Sequence, residues 1–330
     1  MKAADMHCDT IYEIYEARKR GEDLCLRRNT LHLDLEKMKK GDYGLQNFAV
    51  YVHLRRTEDP FRCAMEMIDT FYQEMEDNRD LISPVRSYED IQKNWEEGRM
   101  SAMLTMEEGG VCLGDARLLR NFYRLGVRMM TLTWNFPNEL GYPNRIVTEG
   151  PGKGCFPDTE HGLTDRGIEF LEEMERLGMI IDISHLNDAG IRDVFAHTKK
   201  PFVASHSNAR ALAGHPRNLT DDMIRCLGER GGAAGINYCA DFLHDWKAGE
   251  QKKSCAVHMA AHMKHMKNVG GIGCVALGSD FDGFSGEVEL KDGSGLPLLE
   301  EEMKKQGFLP SEIEAVFHGN VLRVYKEILA

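Results

Sequence analysis

The sequence predicts an α/β fold arranged as a closed (β/α)₈ barrel of the TIM type. Short apolar, β-branched runs recur along the whole chain, and segments with helical spacing and helix-favouring composition lie between them. The 330 residues, of which 42% are hydrophobic, suffice for a barrel of about 250 residues with insertions. An open, doubly wound sheet is the alternative, because it alternates strands and helices in the same way.

Eight segments have the length and composition of buried strands. They lie at residues 3–8, 45–52, 101–106, 128–133, 179–183, 201–205, 233–238 and 274–278. Helices are predicted between and after them, at residues 34–40, 60–80, 88–97, 164–178, 257–268 and 311–329. Because no linker or repeat divides the chain, residues 1–330 are expected to form one domain.

Residues 135–161 are rich in glycine, proline and asparagine and are predicted to form a long loop. The segment directly follows the fourth predicted strand. In a barrel, loops in that position lie at the C-terminal face, where active-site loops gather. We therefore expect this loop on the active-site side.

Composition excludes several classes of protein. Acidic residues outnumber basic ones by 53 to 41, and the formal net charge of −12 would repel nucleic acid. No run approaches the roughly 20 apolar residues of a membrane-spanning helix, and the first residues lack a signal-peptide core. Nine cysteines without a Cys-x-x-Cys pair do not indicate a disulfide framework. We expect a cytoplasmic protein with no membrane or nucleic-acid partner.

Candidate metal ligands stand where predicted strands end. His7 and Asp9 are two residues apart, so on a strand they point to the same face. Further candidates follow the third, fifth, sixth and eighth strands, namely Glu107, His185, His206 and Asp280. Each has an ordinary structural explanation when considered alone, such as a turn carboxylate or a hydrogen-bonded core histidine.

Considered together, these side chains would converge on one mouth of a closed barrel. Two carboxylates and three imidazoles are more ligands than one tetrahedral metal uses, which predicts two divalent ions bridged by a carboxylate. Such a pair can polarise a carbonyl and ionise a water molecule at neutral pH. This chemistry hydrolyses amides or esters. By contrast, His258, His262 and His265 share one face of a predicted outer helix and are expected to have packing or surface roles.

At these residues the sequence resembles the renal (membrane) dipeptidase family of zinc peptidases, peptidase family M19. The resemblance spans nearly the whole chain. Its motifs include Asp-Met-His-Cys-Asp at 5–9, Met-Glu-Glu-Gly-Gly at 106–110, Ile-Asp-Ile-Ser-His at 181–185, Ala-Ser-His-Ser-Asn at 204–208, His-Pro-Arg-Asn-Leu at 215–219 and Gly-Ser-Asp-Phe-Asp-Gly at 278–283. It implies a metal-bearing (β/α)₈ barrel, in agreement with the strand count.

The resemblance also implies ligand roles for two zinc ions per chain. One zinc is assigned to His7 and Asp9, and the other to His185 and His206. A glutamate bridges them, and the family usually has a single glutamate before its Gly-Gly pair.

Two neighbouring residues compete for the bridging role. Counting back from the glycines selects Glu108, whereas counting forward to the Leu-Gly at 125–126 selects Glu107. Glu107 also ends the apolar strand in the same phase. We predict that Glu107 is the bridge.

Three further residues have roles implied by the resemblance. Asp280 would handle the proton of the attacking water and of the leaving amine, and Arg217 would face the carboxylate of the substrate. Many family members carry a histidine where this chain has Trp134. An indole can donate one hydrogen bond and form a pocket wall, but it cannot carry a proton.

The sequence therefore predicts a zinc metallopeptidase that hydrolyses dipeptides by a zinc-bridging hydroxide, including dipeptides with a C-terminal D-residue. The alternatives are a related amidohydrolase, such as an N-acyl-amino-acid deacylase, and a catalytically silent metal-binding paralogue. A homodimer is a further expectation from the family.

Overall fold

Eight parallel strands close into a barrel in the computed structural model, which describes residues 1–150, 153–247 and 249–329. The strands are β1 (Ala3–Asp5), β2 (Tyr43–Tyr51), β3 (Met100–Glu107), β4 (Met129–Thr131), β5 (Ile180–Asp182), β6 (Val203–Ala204), β7 (Ala233–Ile236) and β8 (Val275–Leu277). Each strand pairs with its neighbours in sequence, and β8 pairs with β1 through Leu277 and Asp5. This last pairing confirms the barrel and excludes the open sheet.

Helices lie between the strands and after the last one. They are α1 (Thr10–Lys19), α2 (Leu35–Lys40), α3 (Pro60–Asp77), α4 (Tyr88–Glu96), α5 (Ala116–Leu125), α6 (Asp165–Leu177), α7 (Asp188–His197), α8 (Asp221–Glu229), α9 (Ala240–Leu243), α10 (Ala256–Gly270), α11 (Leu296–Lys305), α12 (Pro310–Glu314) and α13 (Asn320–Ile328). Local signals explain their ends. The Thr164 side chain accepts a hydrogen bond from Gly167 N at the start of α6, and Gly178 ends that helix with a φ of 72°.

The barrel interior receives one apolar side chain from every strand. These residues are Ala4, Leu45, Met103, Met129, Ile180, Val203, Ala233 and Ala276. Val321, Val324 and Tyr325 of α13 pack against the same cluster and close one end of the barrel. A second, larger cluster fills the space between the strands and the outer helices. The packed interior leaves the C-terminal end of the strands as the mouth.

The structure contains six helices that were not predicted, namely α1, α5, α7, α8, α9 and α11, and it differs from the sequence prediction at further places. A strand at Ile82–Val85 pairs with the first half of β3, although it contains Pro84. Proline is tolerated on such a strand because the strand lies at an edge. The helix predicted at 311–329 consists of α12 and α13, joined by the π-helical segment Ala315–Gly319.

The predicted loop at 135–161 contains an antiparallel ribbon. Arg145–Val147 pairs with Gly154–Phe156, and Pro151 and Gly152 of the predicted loop lie outside the described residues. A parallel ribbon of Lys253–Ser254 with Glu287–Val288 lies elsewhere in the chain. Within the described part of the chain, no helix is both long and apolar enough to cross a membrane. The prediction that the chain forms one domain stays a prediction.

Candidate active site

The strand ends bring six predicted side chains together at the mouth of the barrel. These are His7, Asp9, Glu107, His185, His206 and Asp280. They follow β1, β5, β6 and β8 or, in the case of Glu107, end β3. All of them except Asp280 are buried, and Asp280 is nearly so, with 13% of its side chain exposed.

Glu107 occupies the centre of this cluster. Its Oε2 atom lies 3.4 Å from His7 Nε2, and its Oε1 atom lies 3.0 Å from His185 Nε2. His206 Nε2 is 3.5 Å from the same Oε1 atom. One carboxylate oxygen therefore faces the first strand, and the other faces the fifth and sixth.

Two groups of ligand atoms share Glu107. One group contains His7 and Asp9, and the other contains His185 and His206; within each group the atoms lie within 4.8 Å of one another. His7 Nε2 and Asp9 Oδ1 are buried and have no hydrogen-bond partner among the described residues. Because leaving buried polar atoms unsatisfied is costly, these atoms fit a bound cation. The nitrogen and oxygen donors suit a divalent metal ion.

Burial and the neighbouring side chains shift the pKa values of the cluster. Burial lowers the pKa of His185 and that of His206 well below the usual value, so both imidazoles are neutral. Burial also raises the pKa of Asp9 to about 6, with the neighbouring charge of Glu107 acting in the same direction. A cation between these groups would favour the ionised carboxylates.

His7 has the opposite behaviour. Burial disfavours its charged form, but the carboxylates of Glu107 and Asp9 together raise its pKa well above the usual value. A proton on His7 thus occupies a position where positive charge is favoured. Metal binding would displace that proton.

Asp280 stands beside the cluster in a strained backbone conformation. Its φ is 60°, its Oδ1 atom lies 3.9 Å from His7 Nε2, and its Oδ2 atom accepts a hydrogen bond of 2.8 Å from Asn237 Nδ2. Burial raises the pKa of Asp280 well above the usual value. The carboxyl group is therefore suited to holding a proton next to the metal ligands.

A cavity of about 280 Å³ opens above the cluster. Its lining includes Asp280, Arg217, Trp134, Tyr51 and Phe242. The Arg217 side chain is buried, and its Nη1 atom donates to Ser207 Oγ at 3.3 Å, while Nε has no partner among the described residues. A second, more open cavity of about 830 Å³ shares Arg217 and Phe242 with the first.

Comparison with known proteins places the chain in a family. The sequence profile of the membrane dipeptidase family, peptidase family M19, matches residues 1–330. The chain belongs to the membrane dipeptidase family. This confirms the resemblance that the motifs indicated.

Two dipeptidases are similar to this chain over most of their length. Dipeptidase aclJ of Aspergillus oryzae is 32% identical over 306 residues, covering 90% of this chain and 70% of that protein. Dipeptidase verJ of Clonostachys rogersoniana is 30% identical over 316 residues, covering 92% and 78%.

Solved structures of the family share the fold. The dipeptidase AC, a metallopeptidase of family M19, superposes with a TM-score of 0.90 at 27% identity, over 100% of this chain and 99% of that one. A metallopeptidase of Rhodobacter sphaeroides, liganded with a phosphinate mimic of the dipeptide L-Ala-D-Ala, gives 0.85 at 26% identity, over 99% of each chain. Membership of the family makes the chain a metal-dependent dipeptidase, as the sequence predicted.

Trp134 forms part of the wall of the smaller cavity. Its ring lies 4.9 Å from that of Tyr51 and 5.2 Å from that of His53, measured between centroids. The ring of His185 lies 6.0 Å away. The indole thus packs between aromatic side chains next to the cluster.

Glu108 lies apart from the ligand groups. Its side chain is fully buried and accepts hydrogen bonds from Gly110 N, Asn138 Nδ2 and Trp134 N. Burial raises the pKa of Glu108 to about 7. Of the two adjacent glutamates, only Glu107 contacts the histidines of the cluster.

The predicted non-ligand histidines of α10 have structural partners. His262 is buried between Ala209 N and Leu243 O, each 3.0 Å from a ring nitrogen. His265 pairs with Asp221 at 2.7 Å, and the ring of His258 stacks on that of His244. None of the three belongs to the ligand groups found among the described residues.

Sequence reasoning missed the residues that hold the ligands in place. Asn135 Oδ1 lies 3.0 Å from His185 Nδ1, and Ser205 Oγ lies 2.7 Å from His206 Nδ1. Asp182 in turn accepts hydrogen bonds from Ser205 and from Ser184 N. Such partners fix the orientation and tautomer of ligating histidines.

A pattern in the sequence could have identified some of these supporting residues. Asp182 interrupts an apolar run, and Asn237 directly follows the last residue of β7, whereas the candidate ligands other than Glu107 lie two to four residues beyond the ends of other strands. Asn135 gives no such signal, because only the folded loop brings it near His185.

Proposed function

We propose that this chain hydrolyses dipeptides with two zinc ions, one held by His7 and Asp9 and the other by His185 and His206, with Glu107 shared between them. The observation that carries the proposal is the position of Glu107. Its two carboxylate oxygens face two separate pairs of ligands, an arrangement that a single metal ion does not require. When bound, such cations polarise a peptide carbonyl and make a water molecule acidic at neutral pH.

Asp280 is the proton carrier of the proposed reaction. It takes the proton that the attacking water gives up and passes it to the leaving amine. Its position supports this role, because Oδ1 lies next to the ligand His7 and Asn237 holds Oδ2 in place.

Arg217 binds the free carboxylate of the dipeptide. Its guanidinium is buried at the cavity wall, and a fork of N–H donors matches a planar carboxylate. The complex of the Rhodobacter sphaeroides relative with a mimic of L-Ala-D-Ala supports a C-terminal D-residue in the substrate.

Metal analysis and a substrate comparison test the proposal together. We expect two zinc ions per purified chain and faster cleavage of Leu-D-Ala than of N-acetyl-leucine. Glu107→Ala should lose metal, whereas Glu108→Ala, the matched neighbour, should retain more of it.

Three results would contradict the proposal. Loss of metal from Glu108→Ala alone would overturn the bridge assignment. Faster cleavage of N-acyl amino acids would favour a deacylase, and a zinc-loaded protein that cleaves neither substrate would favour a silent paralogue. The cytoplasmic location and the homodimer remain separate predictions.

A further inference from the structure

The two adjacent glutamates at the end of β3 point in different directions. Glu107 faces the ligand histidines, whereas Glu108 turns back into the protein and is fully buried. Glu108 has a φ of 153°, a conformation that residues with a side chain rarely adopt. A strained residue with a buried carboxyl group persists only where its surroundings hold it in place.

Three N–H donors surround the Glu108 carboxylate. Gly110 N lies 2.7 Å from Oε1, Asn138 Nδ2 lies 2.5 Å from Oε1, and Trp134 N lies 3.2 Å from Oε2. A carboxylate accepts all three bonds, since each oxygen has two lone pairs and neither oxygen carries a hydrogen. An amide in the same place would turn an NH₂ group toward one of these donors.

The Glu108 carboxylate is hydrogen-bonded to both ends of the segment 134–138, which follows β4. Asn138, whose side chain donates to Glu108, also donates to Leu132 O at 2.8 Å and accepts from Leu140 N at 2.8 Å. Residues 134–138 are therefore held at both ends by Glu108. We call this segment the 134–138 loop.

The 134–138 loop carries two side chains that reach the active site. The Trp134 indole forms part of the cavity wall. Asn135 Oδ1 lies 3.0 Å from His185 Nδ1, on the opposite side of the ring from Nε2, which faces Glu107 at 3.0 Å. A shift of the loop would move the support of a metal ligand and the wall of the cavity together.

We propose that Glu108 is a positioning residue: it fixes the 134–138 loop, orients His185 through Asn135, and sets Trp134 against the substrate cavity. The inference rests on the proposed function for the role of His185 as a ligand. It also gives a reason for two adjacent glutamates, since one serves the metal site and the other holds the loop that supports it.

The test is the variant Glu108→Gln, which keeps the shape of the side chain and removes one acceptor oxygen. Zinc affinity is measured by competition with a chelator, and the emission of Trp134 is followed in a Trp95→Phe/Trp246→Phe background. We expect a 10- to 100-fold weaker zinc affinity, the range typical of lost support around a metal ligand, together with a changed Trp134 emission. Glu139→Gln, an exposed glutamate in the same region, is the matched control and should behave as wild type.

A double-mutant cycle with Asn135→Ala separates this role from a general loss of stability. If Glu108 acts through Asn135, the double variant should bind zinc no more weakly than the weaker single variant. Additive losses of zinc affinity in the double variant would overturn the proposal. So would a Glu108→Gln protein that is less stable to urea but keeps the wild-type zinc affinity and Trp134 emission.

Asn138→Ala is the second variant if Glu108→Gln does not fold, because it removes one of the three contacts and leaves the charge. It should weaken zinc affinity and change Trp134 emission in the direction expected for Glu108→Gln. Wild-type values of both would contradict the inference. Wild-type protein that binds no zinc would refute the proposed function instead. The Trp134 emission would still report on the loop in that case.

Discussion

Individual residues of the site adopt backbone conformations that a side chain normally avoids. His185 has a φ of 69°, Asp280 has one of 60°, and Glu108 has one of 153°. Each such residue costs on the order of 1–3 kcal/mol, and residues of this kind concentrate at functional sites. At His185 and Asp280 the unusual turn comes directly after a barrel strand, where it directs the side chain toward the mouth.

Replacing Arg217 by methionine tests the role of a single side chain. We expect kcat/KM for a dipeptide with a free carboxylate to fall about 10- to 100-fold, mainly through KM, because a charged hydrogen bond contributes roughly 1.5–3 kcal/mol. The measurement compares each dipeptide with its C-terminal amide. Wild type should prefer the free acid, and the variant should lose most of that preference.

The exposed Arg124→Met on α5 is the control for the loss of an arginine and should retain wild-type kinetics. An Arg217→Met enzyme that still discriminates against the amide would show that the carboxylate binds elsewhere.

At the scale of elements, α10 ties together the segments that follow two strands. His262 accepts a hydrogen bond from Ala209 N beyond β6 through Nδ1, and its Nε2 lies within hydrogen-bond distance of Leu243 O at the end of α9. Only a neutral imidazole with its hydrogen on Nε2 can make both bonds. In agreement, burial lowers the pKa of His262 to about 4.

This arrangement predicts a loss of stability in acid. Below about pH 6.5 the unfolded chain protonates this histidine, while the folded chain resists protonation down to about pH 4. The unfolded state then binds more protons, so stability falls as the pH is lowered through this window. At pH 5 this effect of His262 should lower the free energy of unfolding by about 2 kcal/mol.

Urea unfolding at pH 7 and pH 5, with a chelator present, measures this contribution. His262→Gln should be less stable at pH 7 but should lose about 2 kcal/mol less than wild type between the two pH values. His265→Gln, on the same helix and paired with Asp221, is the control. Equal pH dependence in wild type and His262→Gln would contradict the assignment.

For the whole molecule, the barrel separates stability from chemistry. The candidate metal ligands lie at the C-terminal ends of the strands, whereas α13 packs against the barrel interior at the other end. The Tyr325 hydroxyl lies there, 2.6 Å from Asn47 Nδ2, and both side chains are buried. Residues at the closed end are therefore expected to affect folding and not the reaction.

Tyr325→Phe tests this separation. The change leaves the buried Asn47 amide without that partner, and we expect the free energy of unfolding to fall by about 1–3 kcal/mol. In contrast, kcat/KM for Leu-D-Ala should stay at the wild-type value in the folded protein. Tyr142→Phe, at an exposed tyrosine, is the control for the loss of a hydroxyl. A large fall in kcat/KM in Tyr325→Phe would show that the two ends are coupled.

Much of the fold could be predicted from the sequence because its signals are local. All eight barrel strands and the predicted helices lie within a few residues of the expected positions, as hydrophobic periodicity and caps such as Thr164 and Gly178 are properties of short segments. The strand with Pro84 was missed, because its edge position depends on a pairing with β3 that no local pattern shows.

The candidate site was predictable where histidines and carboxylates recur at strand ends. His7, Asp9, His185 and His206 were found in this way, and closure of the barrel brings them within a few ångströms of one another. Their supporting residues were missed, since Asn135 is fifty positions away from His185 and approaches it only through the loop.

The kind of molecule, an α/β barrel with imidazole and carboxylate side chains after its strands, follows from the chain alone, because residue type and spacing are properties of the sequence. The folded structure was needed to show where the carboxylates of Glu107 and Glu108 point. Two identical neighbours cannot be told apart by composition. The turn after β3 and the donors of the 134–138 loop direct one carboxylate toward the histidines and the other into the protein.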